Sequence, residues 1–388
     1  MRIDDPGRSW PLLTVDREAL EHNVATVAAA VSAAGAEHAP HVKTHMSRSI
    51  WARQSAAGAW GATVATPGQL RTVRSWGVRR ALLANELVDP RDVAWLRAAL
   101  DAEGLDAEGL DEAWVYVDSV RGVETLAEGV RGAARPDALG VLVELGVPGG
   151  RTGLRTRSEV VDLAAVAARA GLRVVGVAGY EGPVAAGTSA EDLAAVRTWC
   201  GDLRAAGAQV ADLVDGPVVL SAGGSACADV VLGELTRSDG ARVVLRSGAY
   251  VTHDHGHYRR ADPWTRLGTA ALRPAITVWA SVLSVPEPGM AICGMGRRDV
   301  SFDIDLPVPL RARTTDRDGR LGAAREVDAQ VTALNDQHAY LSGPGTRDLT
   351  VGDVVAFGIS HPCTTLDKHR TGLLTDGDDV VEELSFDL

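Results

Sequence analysis

The alternation of two hydrophobic patterns is the feature that most restricts how this chain can fold. From residue 40 to residue 250, short apolar runs rich in β-branched residues alternate with amphipathic stretches whose apolar residues recur every three or four positions. The runs that resemble strands cover residues 41–44, 62–66, 81–85, 114–118, 140–145, 173–180, 218–223 and 242–248. Eight strand–helix repeats predict an α/β fold in which parallel strands close into a (β/α)8 barrel of the TIM type. A doubly wound open sheet is the alternative, because periodicity alone does not show closure.

The pattern changes after about residue 266. The later runs look like strands separated by glycine, proline and aspartate turns, with little helical periodicity. They cover residues 275–285, 290–295, 327–334, 339–342 and 354–360. We therefore expect the barrel over residues 21–265 and a C-terminal β domain over residues 266–388. The tandem repeat at residues 101–110 predicts an exposed connection without a function.

Charge and composition restrict the compartment and the partners. The formal net charge is -12 and the chain has no block of lysine or arginine, which argues against a nucleic acid or an anionic membrane as partner. No apolar run is long enough to span a bilayer and no secretory signal is visible, so we expect a cytoplasmic protein that acts on small molecules. The four cysteines lie far apart, which fits a reducing compartment; they are Cys200, Cys227, Cys293 and Cys363.

The segment PHVKTHMS, residues 40–47, carries an unusual lysine. In an extended strand His41, Lys43 and His45 would share one face, because successive side chains point to opposite sides. A lysine placed among apolar neighbours loses hydration and keeps a neutral, nucleophilic amine that can form a Schiff base with a carbonyl. Lys43 is thus a candidate catalytic residue and covalent anchor. An exposed lysine near a strand end is the alternative.

Glycine-rich turns follow the last two predicted barrel strands. Strand seven runs into SAGGS at residues 221–225 and strand eight into RSGAY at residues 246–250. Barrel enzymes bind phosphate at this end, where glycines let main-chain N–H groups approach an anion. The predicted phosphate-binding residues are Gly223, Gly224, Ser225, Ser247 and Gly248. A phosphate site combined with a strand lysine indicates pyridoxal phosphate as cofactor, although each turn alone could be an ordinary βα connection.

Several motifs resemble one enzyme family. They are PHVKTHMS, ELGVPGGRTG, GYEG, SAGGS, RSGAY, GMGRRDVSFD, LNDQH and HPCTTLDKHR. Together they resemble the barrel class (fold type III) of pyridoxal-phosphate enzymes, most closely the D-serine dehydratase and amino-acid deaminase branch, with D-threonine aldolases as near relatives. The resemblance implies an alanine-racemase-like barrel and an N-terminal strand within residues 1–20 that joins the β domain. It also implies a homodimer with active sites at the subunit interface, and the cofactor bound covalently to Lys43.

The resemblance assigns further side chains to the cofactor. Arg151, in GGRTG, and Tyr180, in GYEG, match family positions that line it, although they could instead be a surface arginine and a packed tyrosine. Tyr250 and Asp254 also resemble positions on the cofactor side. The alternating histidines of THDHGH, residues 252–257, could suggest a metal site, but we expect a solvated loop there.

The triplet HPC at residues 361–363 is the candidate metal site. On an extended backbone His361 and Cys363 point the same way, so an imidazole and a thiolate could bind one ion. The spacing alone is weak. With the resemblance, the pair becomes the divalent site of this branch, and its ligand types favour Zn²⁺ over magnesium or manganese. D-threonine aldolases resemble this region but carry aspartate where Cys363 stands. His338 resembles a position near the metal.

The expected activity follows from these assignments. The resemblance implies a zinc-assisted dehydratase that converts D-serine, or a related β-hydroxy D-amino acid, to a 2-keto acid and ammonia. In that reaction the Lys43 amine takes the α-proton and the metal polarises the β-hydroxyl. A D-threonine-type aldolase is the first alternative. A non-catalytic pyridoxal-phosphate-binding protein is the second, disfavoured by the full β domain with its HxC pair.

Overall fold

The computed structural model describes residues 1–102, 109–185 and 187–388. The tandem repeat at residues 101–110 falls mostly outside this part of the chain. The chain starts with strand β1 (Leu12–Asp16) and helix α1 (Arg17–Ala33), and then enters an eight-stranded parallel sheet. The strands of this sheet are β2 (Glu37–His38), β3 (Ala62–Val64), β4 (Arg80–Glu86), β5 (Glu112–Val117), β6 (Leu139–Leu145), β7 (Arg173–Gly179), β8 (Val219–Ala222) and β9 (Arg242–Leu245).

Helices lie between these strands and after the last one. They are α2 (Arg48–Ala56), α3 (Pro67–Ser75), α4 (Pro90–Asp101), α5 (Val120–Gly129), α6 (Arg157–Arg169), α7 (Ala190–Gln209), α8 (Ala228–Leu235), α9 (His257–Ala261) and α10 (Pro263–Arg266). Polar caps explain several of their starts. The Thr66 hydroxyl accepts a hydrogen bond from the Gln69 amide at α3, and Thr156 and Glu159 form a full capping box at α6. No helix in the described residues is long and apolar enough to cross a membrane.

The parallel sheet closes on itself, as predicted. Its order is β2-β9-β8-β7-β6-β5-β4-β3, and a parallel bridge from His41 to Thr63 joins the two ends. The Thr63 amide donates to the Pro40 carbonyl at 2.9 Å, and the Trp60 amide donates to the His38 carbonyl at 2.8 Å. The structure is therefore a barrel and not a doubly wound open sheet.

The first predicted strand is wrong in position. The barrel strand is β2, which ends at His38, and Val42–Thr44 forms a 3-10 helix. Pro40 has no amide hydrogen to extend the ladder towards β3, so regular pairing stops there. Lys43 consequently lies on a helical turn at the end of the strand, and the two-residue alternation assumed for its neighbours does not apply.

Large side chains fill the barrel interior. The indole rings of Trp60 and Trp114 stack with their centroids 4.1 Å apart, and the guanidinium of Arg242 lies 5.0 Å from the Trp114 ring. Apolar side chains from the other strands pack on Trp114; they include Leu82, Leu142, Val175, Val219 and Val244. This packing closes the amino ends of the strands, so the barrel can admit a ligand only at their carboxyl ends.

The remainder of the chain is mostly β structure, as predicted. Its elements are β10 (Ile276–Glu287), β11 (Met290–Cys293), β12 (Val308–Thr315), β13 (Leu321–Glu326), β14 (Gln330–Leu334), β15 (Ala339–Ser342), β16 (Val354–Gly358), a short helix α11 (Pro362–Leu366), β17 (Thr371–Asp376) and β18 (Asp379–Ser385). The main sheet has the order β13-β12-β16-β10-β1-β17-β18. The N-terminal strand β1 thus pairs antiparallel with β10 and parallel with β17 inside this second sheet.

Candidate active site

A cavity of about 250 Å³ opens at the carboxyl ends of the barrel strands. It brings together most of the residues predicted from the sequence: Lys43, Arg151, Tyr180, Gly223, Gly224, Ser225, Ser247, Gly248, His361 and Cys363. Other lining residues were not predicted for the site: His41, Thr44, Ala84, Tyr116, Arg246, Ala249 and Tyr258. The barrel and the β domain therefore both contribute side chains to one site.

Lys43 lies on the 3-10 turn after strand β2 and lines the cavity. Burial lowers the pKa of its amine, and the positive charges of Arg151 and Arg246 act in the same direction, against the effect of Cys363. The neutral, nucleophilic amine is therefore more populated than in an exposed lysine. The chain has one other lysine, Lys368, which lies in the β domain 3.7 Å from the Asp367 carboxylate.

The two histidines beside Lys43 behave differently. His41 lines the cavity, and burial keeps its pKa well below the ordinary histidine value. His45 is fully buried, and its ring contacts the Gln54 side-chain oxygen at 3.2 Å, outside the cavity. The three-residue face expected of an extended strand is therefore wrong for His45. The 3-10 turn directs the His45 side chain away from the cavity.

The predicted phosphate loops are shaped by glycines that have no space for a side chain. A Cβ on Gly248 would lie 2.3 Å from the His41 carbonyl oxygen, which belongs to the backbone of the Lys43 turn. A Cβ on Gly223 would lie 2.2 Å from Leu245 Cδ1, and the φ of Gly223 is +106°. These close approaches fix the path of both glycine turns at the cavity wall, where main-chain N–H groups can serve an anion site.

Glu181 supports these loops and was missed by sequence reasoning. Its buried carboxylate accepts the Gly223 amide at 3.2 Å and the Gly224 amide at 2.5 Å. The Ser247 hydroxyl donates to the carbonyls of both glycines, which ties the two loops together. The amides of Ser225 and Gly248 make no hydrogen bond within the described residues, so they are the donors available to a phosphate. The GYEG motif contained Glu181, but nothing in its spacing indicated this contact.

Arg246 is a second functional residue that the sequence reasoning left out. It is buried, and it donates to the Ser221 hydroxyl at 2.8 Å and to the Gly179 carbonyl at 2.6 Å. No carboxylate among the described residues forms an ion pair with it. Together with Arg151, whose guanidinium lies 4.9 Å from the Tyr180 ring centroid, it makes this wall of the cavity positive. Its position directly before the second glycine turn was the signal available in the sequence.

Tyr250 lies outside the residues that line the cavity. Its buried hydroxyl accepts a hydrogen bond from the Gln54 amide at 3.0 Å, and its ring packs on His38 with centroids 5.2 Å apart. Burial raises the pKa of this hydroxyl. Tyr250 therefore packs against the end of strand β2, outside the cavity lining. Tyr258, which was not predicted, contributes its side chain to the cavity lining instead.

His361 and Cys363 reach the cavity by a route different from the predicted one. His361 has a φ of +81° and caps the N-terminus of α11, so the backbone is not extended and the two-residue alternation is wrong here too. The Cys363 thiol donates to the Thr44 hydroxyl at 3.3 Å, next to Lys43. Cys363 and the Asp303 carboxylate raise the pKa of His361 to about 9. The pair thus belongs to the β domain and meets the barrel wall at Thr44.

The chemistry of this pair fits a divalent metal with open positions. Imidazole nitrogen and thiolate sulfur are zinc ligands, and both side chains face a cavity that has room for water or substrate. Across residues 1–102, 109–185 and 187–388 no group of three or more His, Cys, Asp and Glu side chains is arranged to hold a metal ion. The pair therefore offers two candidate ligands within the described residues, and His338 is an exposed residue outside the cavity lining.

The expectation of a solvated loop at residues 252–257 is wrong. His253 and Asp254 are buried, with 3% and 1% of their surfaces exposed. The Asp254 carboxylate accepts the amides of Gly256, Tyr258 and His361, so it fastens the end of the barrel to the segment that carries the HPC triplet. The alternating polar pattern concealed this role, because one of the backbone amides that satisfy Asp254 belongs to His361, 107 residues further along the chain.

A larger groove, of about 680 Å³, lies at the opposite ends of the strands. It is lined mainly by small residues near the end of α7 and before β8 and β9. Its two arginines, Arg204 and Arg237, both pair with Glu234. It holds none of the side chains that the sequence singled out, so the smaller cavity is the candidate active site.

Comparisons with known proteins agree with this architecture. A family model described as "Alanine racemase, N-terminal domain" matches residues 15–228, and one described as "Putative serine dehydratase domain" matches residues 275–375. The chain is 27% identical to a 3-hydroxy-D-aspartate aldolase of Paracoccus denitrificans over 315 residues, which cover 79% of this chain and 76% of that protein.

Two solved structures share the whole fold. D-threonine aldolase from Filomicrobium marinum has a TM-score of 0.79 and 24% identity, over 97% of this chain and 95% of that one. D-threo-3-hydroxyaspartate dehydratase from Delftia sp. HT23 has a TM-score of 0.75 and 22% identity, over 98% of both chains. Since the first family model spans more than half of the sequence, the chain belongs to the alanine racemase N-terminal domain family of fold-type III pyridoxal-phosphate enzymes, with a serine-dehydratase-like domain after its barrel.

Proposed function

We propose that this protein is a pyridoxal-phosphate-dependent lyase that removes water from D-serine or a related β-hydroxy D-amino acid and releases a 2-keto acid and ammonia. The observation that carries the proposal is that Lys43, the glycine loops and the His361–Cys363 pair line one cavity. A lysine anchor and a phosphate cradle alone would serve any enzyme of this family. The imidazole–thiolate pair beside them adds a site for a metal that can act on a hydroxyl.

The barrel wall is suited to hold the cofactor. Ser225 and Gly248, whose amides have no hydrogen-bond partner within the described residues, belong to turns that line the cavity where a phosphate would lie. The buried guanidinium of Arg246 supplies positive charge at the same wall. When bound, pyridoxal phosphate supplies an electron sink for the carbanion that forms at the α-carbon of an amino acid.

Lys43 performs two tasks on this view. Its amine would hold the cofactor through the aldehyde, and the same amine, once free, could act as the general base for the α-proton of a substrate in the cavity. Burial lowers the pKa of Lys43, which favours the neutral amine that both tasks need. Arg151 and Tyr180 stack at one edge of the cavity, next to the Gly224 turn, and would orient substrate or cofactor there.

His361 and Cys363 would hold zinc or another divalent cation at the β-carbon side of the substrate. Such an ion polarises a hydroxyl as a Lewis acid, and hydroxide is a poor leaving group without that help. Thr44 and Asp303 contact the two ligands, Thr44 at the thiol and Asp303 at the ring. These contacts keep both ligating atoms on the cavity side of the β domain.

An aldolase is the second candidate, favoured by the 27% identity to a 3-hydroxy-D-aspartate aldolase. In that reaction the same cavity would assist removal of the hydroxyl proton, and a carbon–carbon bond would break. The presence of Cys363, where the D-threonine aldolases that this region resembles carry aspartate, favours the dehydratase.

The test is a substrate panel. The purified protein, saturated with pyridoxal phosphate, receives D- and L-serine, D- and L-threonine and D- and L-3-hydroxyaspartate, before and after chelation and again after zinc is restored. Keto acid and ammonia formed from a D-isomer, lost on chelation and restored by zinc, support the proposal. If the products are instead glycine and an aldehyde or glyoxylate, the dehydratase proposal is wrong and the aldolase proposal takes its place. Activity indifferent to chelators would remove the zinc role.

We also propose that the protein is a cytoplasmic homodimer. The four cysteines are free, which fits a reducing compartment. Light scattering of the cofactor-loaded protein is expected to give twice the chain mass of 40.6 kDa. A monomer with full activity would contradict an active site completed at a subunit interface.

A further inference from the structure

The loop between β11 and β12 is fixed against α11. It carries Ser301, which is 1% exposed and donates its hydroxyl hydrogen to the Ser360 carbonyl at 2.9 Å. The Ser301 amide donates to the Thr365 hydroxyl at 3.1 Å, and Thr365 is fully buried. The next residues of the loop are therefore held in register with the HPC segment, independently of any ligand.

Asp303 uses this placement to contact the His361 ring. One carboxylate oxygen lies 2.6 Å from His361 Nδ1, and the other accepts the Thr364 hydroxyl at 3.1 Å. Both oxygens of Asp303 are thus engaged with the HPC segment. The backbone N–H of His361 donates to the Asp254 carboxylate at 3.0 Å, so two carboxylates hold this residue, one at the ring and one at the main chain.

The consequence concerns the other ring nitrogen. A neutral imidazole has one donor and one acceptor nitrogen, and the bond that one nitrogen makes decides the role of the other. A metal binds the imidazole in its neutral form, and a carboxylate at Nδ1 keeps the one remaining hydrogen there, so the Nε2 lone pair is the one that can bind the ion. His361 and Cys363 both line the cavity, so this lone pair is available beside the Cys363 sulfur.

We infer that Asp303 is the positioning residue that fixes the tautomer and ring orientation of His361 for metal binding through Nε2. The inference rests on the metal site of the proposed function and adds a residue to it. Carboxylates in this position on metal-bound histidines typically raise metal affinity by about 10- to 100-fold. The side chain of Asp303 is 45% exposed, and exposed pairs of this kind contribute little to folding. Loss of Asp303 should therefore act on metal affinity and leave the fold intact.

The chain offers a matched control on the same loop. Asp305 has a side chain 35% exposed and accepts the Ser360 hydroxyl at 2.7 Å, while it pairs with Arg260 at 2.6 Å. Among the described residues it forms no hydrogen bond or ion pair with His361. An effect caused by lost negative charge near the cavity would appear in Asp305→Asn as well as in Asp303→Asn, whereas a tautomer effect would appear in the Asp303 variants alone.

The experiment measures zinc affinity without turnover. The full chain, loaded with pyridoxal phosphate and stripped of metal, is titrated with zinc in competition with a chromophoric chelator. We expect Asp303→Ala to weaken zinc binding by about 10- to 100-fold, Asp303→Asn and Thr364→Val by less, and Asp305→Asn not measurably. Asparagine keeps an acceptor oxygen for Nδ1–H, so the loss of zinc affinity in Asp303→Asn should be partial. Cobalt in place of zinc should still give thiolate charge-transfer absorption in Asp303→Ala at saturation, because Cys363 remains a ligand.

Two results would overturn the inference. If His361→Ala and Cys363→Ala lose zinc affinity while Asp303→Ala keeps it, the metal site stands and Asp303 has no positioning role. If His361→Ala and Cys363→Ala both keep wild-type zinc affinity, the proposed metal site fails and the inference fails with it. Circular dichroism and thermal unfolding of each variant identify a folding defect, and in that case Asp303→Asn and Thr364→Val decide the question.

Discussion

The two walls of the active-site cavity are built by different means. The barrel wall is built on glycine turns that pack closely against neighbouring backbone and side-chain atoms, supported by the buried carboxylate of Glu181. The β-domain wall consists of side chains on a short helix and a loop, with His361 in a left-handed conformation and Asp303 about half exposed. The first wall is fixed by packing and the second by polar contacts. Substitutions in the first should therefore affect cofactor binding, and those in the second should affect metal and chemistry with the cofactor still bound.

The largest effect should come from Lys43→Ala. Without the amine, the protein should hold no covalently bound cofactor after borohydride treatment, and keto-acid formation should fall by at least about 10³-fold, since both attachment and proton transfer are lost. Peptide mass spectrometry after reduction provides the measurement. Lys368→Ala, which changes the only other lysine, is the control and should keep the label on Lys43. Reduced cofactor on any other residue would show that the barrel wall is misassigned.

Cys363→Ala tests whether the two walls of the cavity act independently. Turnover should fall by about 10²-fold, as expected when a Lewis acid worth several kcal/mol is lost. The affinity for pyridoxal phosphate should stay within about twofold, because none of the barrel loops changes. Cofactor titration by absorbance and keto-acid assay are run on the same preparation. The control is Cys293→Ala, which removes a buried thiol of β11 that does not line the cavity. A parallel loss of cofactor in Cys363→Ala would mean that the walls are not independent.

Gly248→Ala should disturb only the barrel wall, and so weaken the binding of the cofactor. The added methyl group would lie 2.3 Å from the His41 carbonyl oxygen, so either the loop or the Lys43 turn must move. Overpacking of this kind costs about 1–3 kcal/mol, which we expect to appear as a roughly 10-fold weaker affinity for pyridoxal phosphate. Gly233→Ala is the control, since a methyl group added to that glycine in α8 would have no atom within 4 Å beyond its own helix backbone. Zinc affinity should not change in either variant.

The smallest effect concerns a carboxyl pair at the barrel mouth. Burial and the neighbouring Glu144 raise the pKa of Glu86 above its ordinary value of 4.5. The folded state thus binds more protons than the unfolded state, and the free energy of unfolding should decrease as pH rises above 4.5. In Glu86→Gln the free energy of unfolding should decrease less steeply with pH. The difference in slope should correspond to at most about one bound proton. Urea unfolding across the pH range provides the measurement, and Glu124→Gln, on the outer face of α5, is the control. An unchanged slope would show that Glu86 titrates normally.

The barrel was predictable because its signal is repeated. Each strand–helix unit shows the same periodicity, and the carboxyl-end rule then places Lys43 and the glycine turns together without further information. The error at residues 41–44 came from one local feature, Pro40, which ends the ladder early. The three-residue turn that follows still delivers Lys43 to the same cavity, so the site prediction survived the wrong secondary structure.

Contacts made across the fold were not predictable in the same way. Glu181 binds amides that lie more than 40 residues away, and Asp254 binds the amide of His361 from 107 residues away. Such pairs leave no periodic trace, and a buried carboxylate looks the same in sequence as a solvated one. The histidine run at residues 252–257 therefore predicted an exposed loop, and Arg246, which lies directly before the second glycine turn, was passed over.

The position of β1 has a consequence for how the protein is made. Residues 12–15 leave the ribosome before the barrel does, yet their sheet partners are Ile276–Trp279 on one side and Leu373–Leu374 on the other. This leading strand therefore has no sheet partner until the segment that ends at Trp279 has been made, and the second sheet cannot be completed before Leu373 and Leu374 follow. Cutting the gene near residue 266 would leave each half with an unpaired strand edge, so the two halves should be produced and studied as one piece.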